Sequence, residues 1–196
     1  METLTHEAGM NFREHVEKWK NCTKCELHKG RQRVVFARGK IPCHVLFIGE
    51  APGESEDVLG YPFQGPAGKL LDGIVARALG HLNVGTAFTN LVCCIPRGED
   101  GGKTGEPLPK EIRTCSDRLQ EFLTIARPRL VVCVGSLSKS WVMEGLKNGI
   151  RLEEGVKTAS VTHPAAILRM NVAQRGLETR RCEVVIRRAV EALSEG

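Results

Sequence analysis

The sequence predicts an α/β fold, a parallel sheet with helices on both faces. Three observations predict it. Runs of apolar and β-branched residues alternate with segments of helical period, in the order strand, helix, strand, helix. The clearest of those runs is continuously apolar, as a strand buried on both faces is. The spacing between runs leaves room for the crossover helices that parallel strands require.

The elements follow in order. A polar helical stretch, Glu14 to Lys20, comes first. His44-Val45-Leu46-Phe47-Ile48-Gly49 reads as a buried strand entering a glycine-rich turn. Ala67 to Leu79 puts Leu70, Leu71, Ile74, Val75 and Ala78 on one helical stripe, with Gly80 as its stop. Ala87 to Val92 is a second strand. Pro109 suits the first turn of a helix running towards Thr124. Arg129 to Gly135 is the clearest strand, and Ser136 is placed to cap a helix through Gly145. A fourth strand is expected over Lys157 to Thr162, and a last helix over Thr179 to Leu193.

A chain of 196 residues is long enough for one well-packed domain, so residues 1–196 are expected to fold as a unit. Apolar residues make up 41% and charged residues 26%, a soluble balance. No run approaches the roughly 20 apolar residues that span a bilayer, which excludes a helical membrane protein. The N-terminal residues lack the basic and then apolar run of an export signal. The expected location is therefore the cytoplasm, where eight cysteines are not a disulfide scaffold. A net charge of +5 suits a polyanionic partner without requiring one.

Four cysteines bracket the glycine turn: Cys22 and Cys25 as a C-x-x-C pair, then Cys94 and Cys115. No strand precedes the pair, which argues against a thioredoxin-like redox motif. Four thiolates suit tetrahedral zinc or a cubane iron–sulfur cluster. Cys43, Cys93, Cys133 and Cys182 read as small apolar core residues. The turn Gly49-Glu50-Ala51-Pro52-Gly53 offers backbone amides to a phosphate or a base, or is simply a tight strand exit. It matches neither dinucleotide nor nucleotide-triphosphate loops, so nucleotide hydrolysis lacks support. Phe63 lies among Gly and Pro residues, as a stacking platform or as a lid on the core. Asn90 at a strand end is a turn former or a base-reading amide, and His163 is held extended by Pro164. Ligands of parallel sheets bind beyond the carboxyl ends of the strands, where Gly49-Glu50, Asn90 and His163-Pro164 all fall.

Taken together, these motifs resemble the iron–sulfur uracil-DNA glycosylases, family 4 of their superfamily. The resemblance runs from Cys22 to about Arg169. It is strongest over Gly49 to Asp57 and Gly60 to Gly68, followed by Thr89-Asn90, Cys94 with Pro96, Cys115, and His163 to Arg169. It implies a three-layer α/β/α sandwich around a central four-stranded parallel sheet. It further implies a [4Fe-4S] cluster on Cys22, Cys25, Cys94 and Cys115, serving as a structural clamp.

The activity implied is removal of uracil from single- or double-stranded DNA by a monomeric glycosylase, the first step of base excision repair. Phe63 matches the residue that stacks on a flipped-out uracil, and Asn90 the amide that reads its Watson–Crick edge. His163 matches the donor to uracil O2, and Glu56 the residue on the C5 side. Glu50, Ala51 and Pro52 form the turn beside the reacting sugar. Ala51 stands where other uracil glycosylases carry a water-orienting aspartate, which leaves Glu50 as the nearby carboxylate. The stretch Arg97 to Glu106 departs from the family pattern in length and lacks its Asn-Arg step. A rival of another class is a cluster-bearing DNA-binding or damage-recognition protein with little turnover. A zinc-stabilised nucleotide-binding module is a third reading.

Overall fold

The computed structural model describes residues 10–80, 82–97, 104–143 and 150–194. Five strands form one sheet: β1 (Ala37–Gly39), β2 (Val45–Gly49), β3 (Thr86–Asn90), β4 (Leu130–Val134) and β5 (Lys157–Val161). Their spatial order is β1-β3-β2-β4-β5. The four expected strands are present and mutually parallel. A fifth, β1, was not expected and pairs antiparallel with β3 at the edge. With three residues, Ala-Arg-Gly, it carries no hydrophobic pattern that a sequence reading detects.

Among the described residues, seven α-helices surround the sheet: α1 (Phe12–Trp19), α2 (Glu54–Leu59), α3 (Pro66–Leu79), α4 (Pro109–Ala126), α5 (Ser136–Met143), α6 (Pro164–Leu168) and α7 (Val172–Glu191). Pro66, Pro109 and Pro164 each open their helix, where a missing N–H costs nothing. Ser136 begins α5 itself, after Gly135 at φ +98; the expected end of this helix at Gly145 lies outside the described residues. The last helix starts at Val172, well before Thr179, because the Asn171 side chain accepts the Gln174 N–H and caps it. Val172 and Leu177 are exposed there and break the apolar period that would have marked the start.

Strand residues alternate between two cores, which makes the architecture three-layered. Leu46, Ile48, Val131 and Cys133 meet Leu119 and Phe122 of α4 and Trp141 of α5. Val45, Phe47, Val132 and Val134 meet Leu71, Ile74 and Ala78 of α3 and Ile186 and Val190 of α7. Each such fully buried Leu, Ile or Phe contributes about 1.5–3 kcal/mol, so the sheet is a rigid base for its loops.

Helix α1 is fastened to α4 by one carboxylate. Glu121 accepts from Trp19 Nε1 at 2.8 Å, lies 2.7 Å from His15 Nδ1 and also pairs with Lys18. Burial lowers the pKa of His15 against the pull of Glu121, which favours the neutral ring. These contacts tie α1 to α4. No described helix is long and apolar enough to cross a membrane.

Candidate active site and the four-cysteine cavity

The carboxyl ends of β2 and β3 meet at Gly49, which pairs with Asn90 in register. A Cβ on Gly49 would lie 2.4 Å from Asn90 Oδ1 and 2.5 Å from Phe63 Cζ. Only glycine permits that approach. The amide and the ring, expected to share a base-binding pocket, thus converge on one backbone position. Both are nearly buried, Asn90 at 2% exposure and Phe63 at 7%.

Phe63 is held in an unusual conformation. Its φ is +57, a left-handed geometry that costs a bulky residue energy and persists only where its surroundings enforce it. Three groups do so. Arg38 of β1 donates from Nε to Pro62 O at 2.8 Å and from Nη2 to Phe63 O at 3.5 Å, with its guanidinium 4.1 Å from the Phe88 ring centroid. Gly68 of α3 leaves room for the Phe63 carbonyl, which a Cβ there would meet at 2.0 Å. Glu56 accepts the N–H of Gln64 at 2.7 Å and of Gly65 at 2.9 Å with one oxygen, and that of Gly53 at 3.0 Å with the other. One Glu56 oxygen is thereby committed to the loop that carries Phe63 and the other to the turn that opens α2. The Phe63 ring meets Phe88 edge-on, with centroids 6.0 Å apart, and Phe88 stacks on Phe47.

The strand end carrying Asn90 is secured on both sides. The N–H groups of Leu91 and Val92 donate to Gly49 O at 3.0 Å and Glu50 O at 3.2 Å. Arg118 of α4, itself buried at 2% exposure, donates to the carbonyls of Asn90 at 2.8 Å and Leu91 at 2.9 Å. Its other terminal nitrogen reaches Thr89 Oγ1 at 3.3 Å, and that hydroxyl donates to Phe36 O.

His163 lies two strands away, after β5, packed against Gly135. It lines a cavity of about 320 Å³ with Ser136, Lys139, Ser160 and Glu178, a cavity that neither Phe63 nor Asn90 lines. Its Nδ1 accepts the Ala165 N–H at 3.2 Å, capping α6. That bond assigns the ring proton to Nε2 and makes this nitrogen a donor. Burial, aided by Arg169, lowers its pKa, so the ring is neutral at pH 7.

Glu50 is half-buried, and burial with Glu106 nearby raises its pKa to about 7. Ala51 packs against the core beside it, and Pro52 is buried. Asp57 is wholly buried and accepts the N–H of Gln32 and Arg33 and a bond from Arg97. It is a loop anchor. Arg97 and Thr104 form a bridge and both bond Glu54, so the ends of the atypical loop are fixed. Residues 98–103 of it lie outside the described residues.

Cys22, Cys25, Cys94 and Cys115 all line one cavity, between α1, α4 and the segment after β3. Cys93, expected in the core, lines it too; Cys43, Cys133 and Cys182 are buried core residues as expected. Arg31 donates to Cys94 Sγ at 3.2 Å and to Cys22 O at 2.7 Å, and Arg118 approaches Cys115 Sγ at 3.9 Å. Burial raises the Cys25 thiol, and it raises Cys94 to about 11 against Arg31. A hydrogen bond from Cys93, assisted by Arg118, lowers Cys115, while complete burial pushes Cys93 up. The sulfur-rich lining with guanidinium donors suits anionic thiolate ligands. Among the described residues, no three His, Cys, Asp or Glu side chains converge on a position for a single metal ion.

Arg38 and Arg118 were not expected in the site. An arginine in a polar helical stretch or a short unpatterned segment reads as solvated. The one available signal for Arg118 was its spacing of three from Cys115 on the same helix face.

The fold is a three-layer α/β/α sandwich in which an amide and an aromatic ring meet at the carboxyl ends of β2 and β3, with a neutral histidine in a separate cavity after β5. Comparison with known proteins makes this specific. A family model described as the Uracil DNA glycosylase superfamily matches residues 36–185. A type-4 uracil-DNA glycosylase of Archaeoglobus fulgidus is 32% identical over 162 residues, covering 76% of this chain and 78% of that protein. One from Pyrobaculum aerophilum is 34% identical over 176 residues, covering 82% and 86%. A crystal structure of wild-type SMUG2 from Pedobacter heparinus superposes with a TM-score of 0.56 at 12% identity, over 79% of this chain and 77% of that one, and supports the fold alone. The chain belongs to the uracil-DNA glycosylase superfamily, with type-4 members among its relatives.

Proposed function

We propose that the chain is a monofunctional uracil-DNA glycosylase, hydrolysing the N-glycosidic bond of deoxyuridine to leave an abasic site. The observation that carries this reading is the meeting of the Asn90 amide and the Phe63 ring at Gly49. The other uracil-facing groups then have natural roles.

A base inside a duplex is out of reach, so the nucleotide must be flipped out at a cost of a few kcal/mol. Stacking on Phe63 offsets about 1–3 kcal/mol of that. Asn90 accepts from uracil N3–H and donates to O4. Cytosine presents the reverse polarity, and a buried amide facing it would have both bonds unmade, a mismatch that discriminates strongly.

Bond cleavage leaves negative charge on uracil and positive charge on the sugar. His163, neutral with its proton on Nε2, is suited to donate to uracil O2 as the charge develops. Such a donor is typically worth about 2.7–4 kcal/mol. For this the His163 segment must come to the base held at Gly49, so DNA binding is expected to draw the β5–α6 turn inwards. Glu50, when ionised, stabilises the cationic sugar or orients water, since Ala51 has no polar group. Glu56 governs the C5 side of the base through the loop it fastens.

Cys22, Cys25, Cys94 and Cys115 would hold a [4Fe-4S] cluster, with Arg31 and Arg118 donating to its thiolates. When bound, the cluster supplies a structural clamp between the N-terminal segment and α4, with no part in hydrolysis. All the groups named lie on one chain, which favours a monomer acting on DNA. A fluorescent oligonucleotide with one uracil, incubated with the protein and then with alkali, tests the reading. Strand scission at uracil and not at cytosine or thymine is expected. Tight binding without scission would replace it with a damage-recognition role.

A further inference from the structure

We infer that Arg118 is a positioning residue for the base-reading amide of Asn90 and couples that amide to the four-cysteine cavity. The inference rests on the reading of Asn90 given above.

The geometry is specific. The backbone leaving β3 has its N–H groups taken by Gly49 and Glu50 and its carbonyls taken by one guanidinium. Among the described residues no other donor holds these two carbonyls, since Asn90 and Leu91 lie at the point where β3 ends. A planar fork is needed to reach two successive carbonyls and Thr89 Oγ1 together, which a lysine ammonium cannot do. A wholly buried cation also requires compensating negative charge or dipoles. Arg118 finds the carbonyl dipoles on one side and the Cys115 sulfur on the other. Its Nε–H is buried with no acceptor among the described residues, and the side chain lines the cysteine cavity. A sulfur acceptor in that cavity would satisfy it. One side chain thus touches both the ligand cysteines and the strand end that orients Asn90, so the state of the cavity bears on the amide through Arg118.

A double-mutant cycle tests this, using wild-type protein, Arg118→Met, Asn90→Ala and the double variant. The single-turnover rate of uracil release is measured alongside affinity for abasic DNA, iron per chain and hydrogen exchange at the Leu91 and Val92 amides. Arg118→Met is expected to slow release about tenfold, leave abasic-DNA affinity unchanged and speed exchange at both amides. In the Asn90→Ala background it is expected to change the rate little, because the amide it positions is gone. Multiplication of the two effects, or unchanged exchange, overturns the inference. If Arg118→Met is insoluble or loses its iron, Arg118→Lys, which keeps the charge and loses the fork, takes its place in the cycle. Failure of both variants to fold assigns Arg118 to fold maintenance alone and overturns it too. A wild-type rate for Asn90→Ala by itself would instead remove Asn90 from the pocket, an outcome distinct from additivity.

Discussion

Asn90 Oδ1 and the ring of Phe63 both stand within 2.5 Å of the point a Gly49 Cβ would occupy. The one missing side chain allows two residues from different elements to approach the same backbone position. It follows that Gly49→Ala cannot be a mild change. The alanine methyl must displace an amide from a buried strand end or a ring from a loop held by Arg38, Gly68 and Glu56. Uracil excision is expected to fall at least about a hundredfold, in line with misplacement of reacting groups by about 1 Å, while the melting transition survives. Near-normal excision by Gly49→Ala would show that ring and amide do not share the base.

Asn90→Asp keeps the shape of the side chain and replaces its donor with an acceptor. Uracil O4 then faces a carboxylate, so excision of uracil is expected to drop and the preference over cytosine to narrow or vanish. Parallel assays on U- and C-containing oligonucleotides read this directly. An unaltered ratio and rate would remove the amide from recognition.

His163→Ala removes a neutral donor and leaves the Ala165 N–H without its cap. The donor is expected to be worth about 2.7–4 kcal/mol at the transition state, a loss of roughly 10²–10³ in rate. Stability should fall far less, since a lost cap costs about 0.5–2 kcal/mol. Comparing single-turnover rate with denaturant midpoint separates the two. A fall in stability with the rate intact would make His163 a cap and nothing more.

Glu50 gives a pH signature. Burial and Glu106 raise its pKa from 4.5 to about 7. A carboxyl raised in the folded state stabilises the fold fully below about 4.5, and that contribution is lost as pH rises through about 7. Catalysis runs the other way, because the ionised form is the useful one. Excision should therefore rise through an acid limb near pH 7, and Glu50→Gln should flatten that limb at a lower rate. Retention of the limb in Glu50→Gln would assign it to another group.

The cysteine cavity separates ligand from neighbour. Cys115→Ser and Cys94→Ser are expected to lose iron and the broad absorption of an iron–sulfur cluster, whereas Cys93→Ser should keep both and weaken only the bond to Cys115. Iron analysis of the three purified variants decides. Iron loss on changing Cys93 with retention on changing Cys94 would exchange their roles.

The centre of the sheet was legible because β2 and β4 are continuous apolar runs, and Leu130 to Val134 can be little else. The strand that was missed, Ala37–Gly39, exists through pairing with β3 and not through its own composition. Cys22, Cys25, Cys94 and Cys115 stand out in the sequence and do line one cavity, and Asn90 and Phe63 do meet at Gly49, whereas His163 lies in a separate cavity. Cys93 is the core residue its sequence suggests, packed with Trp19 and Phe36, and it also lines the cysteine cavity, which burial alone does not signal. Arg38 and Arg118 stayed hidden for a related reason. Their partners are backbone carbonyls of other segments, and no local pattern records a contact with a carbonyl far along the chain.

The left-handed backbone at Phe63 has a consequence for how quickly a flipped nucleotide can be captured. With its carbonyl seated on Gly68 and gripped by Arg38, the aromatic platform has already surrendered its freedom when the chain folds. A nucleobase arriving from DNA meets a surface that needs no ordering of its own, sparing about 0.5–1.5 kcal/mol that a loose side chain would lose at that moment. Weakening Arg38 should then appear as slower trapping of transiently everted bases, with the chemistry of the trapped ones unaltered.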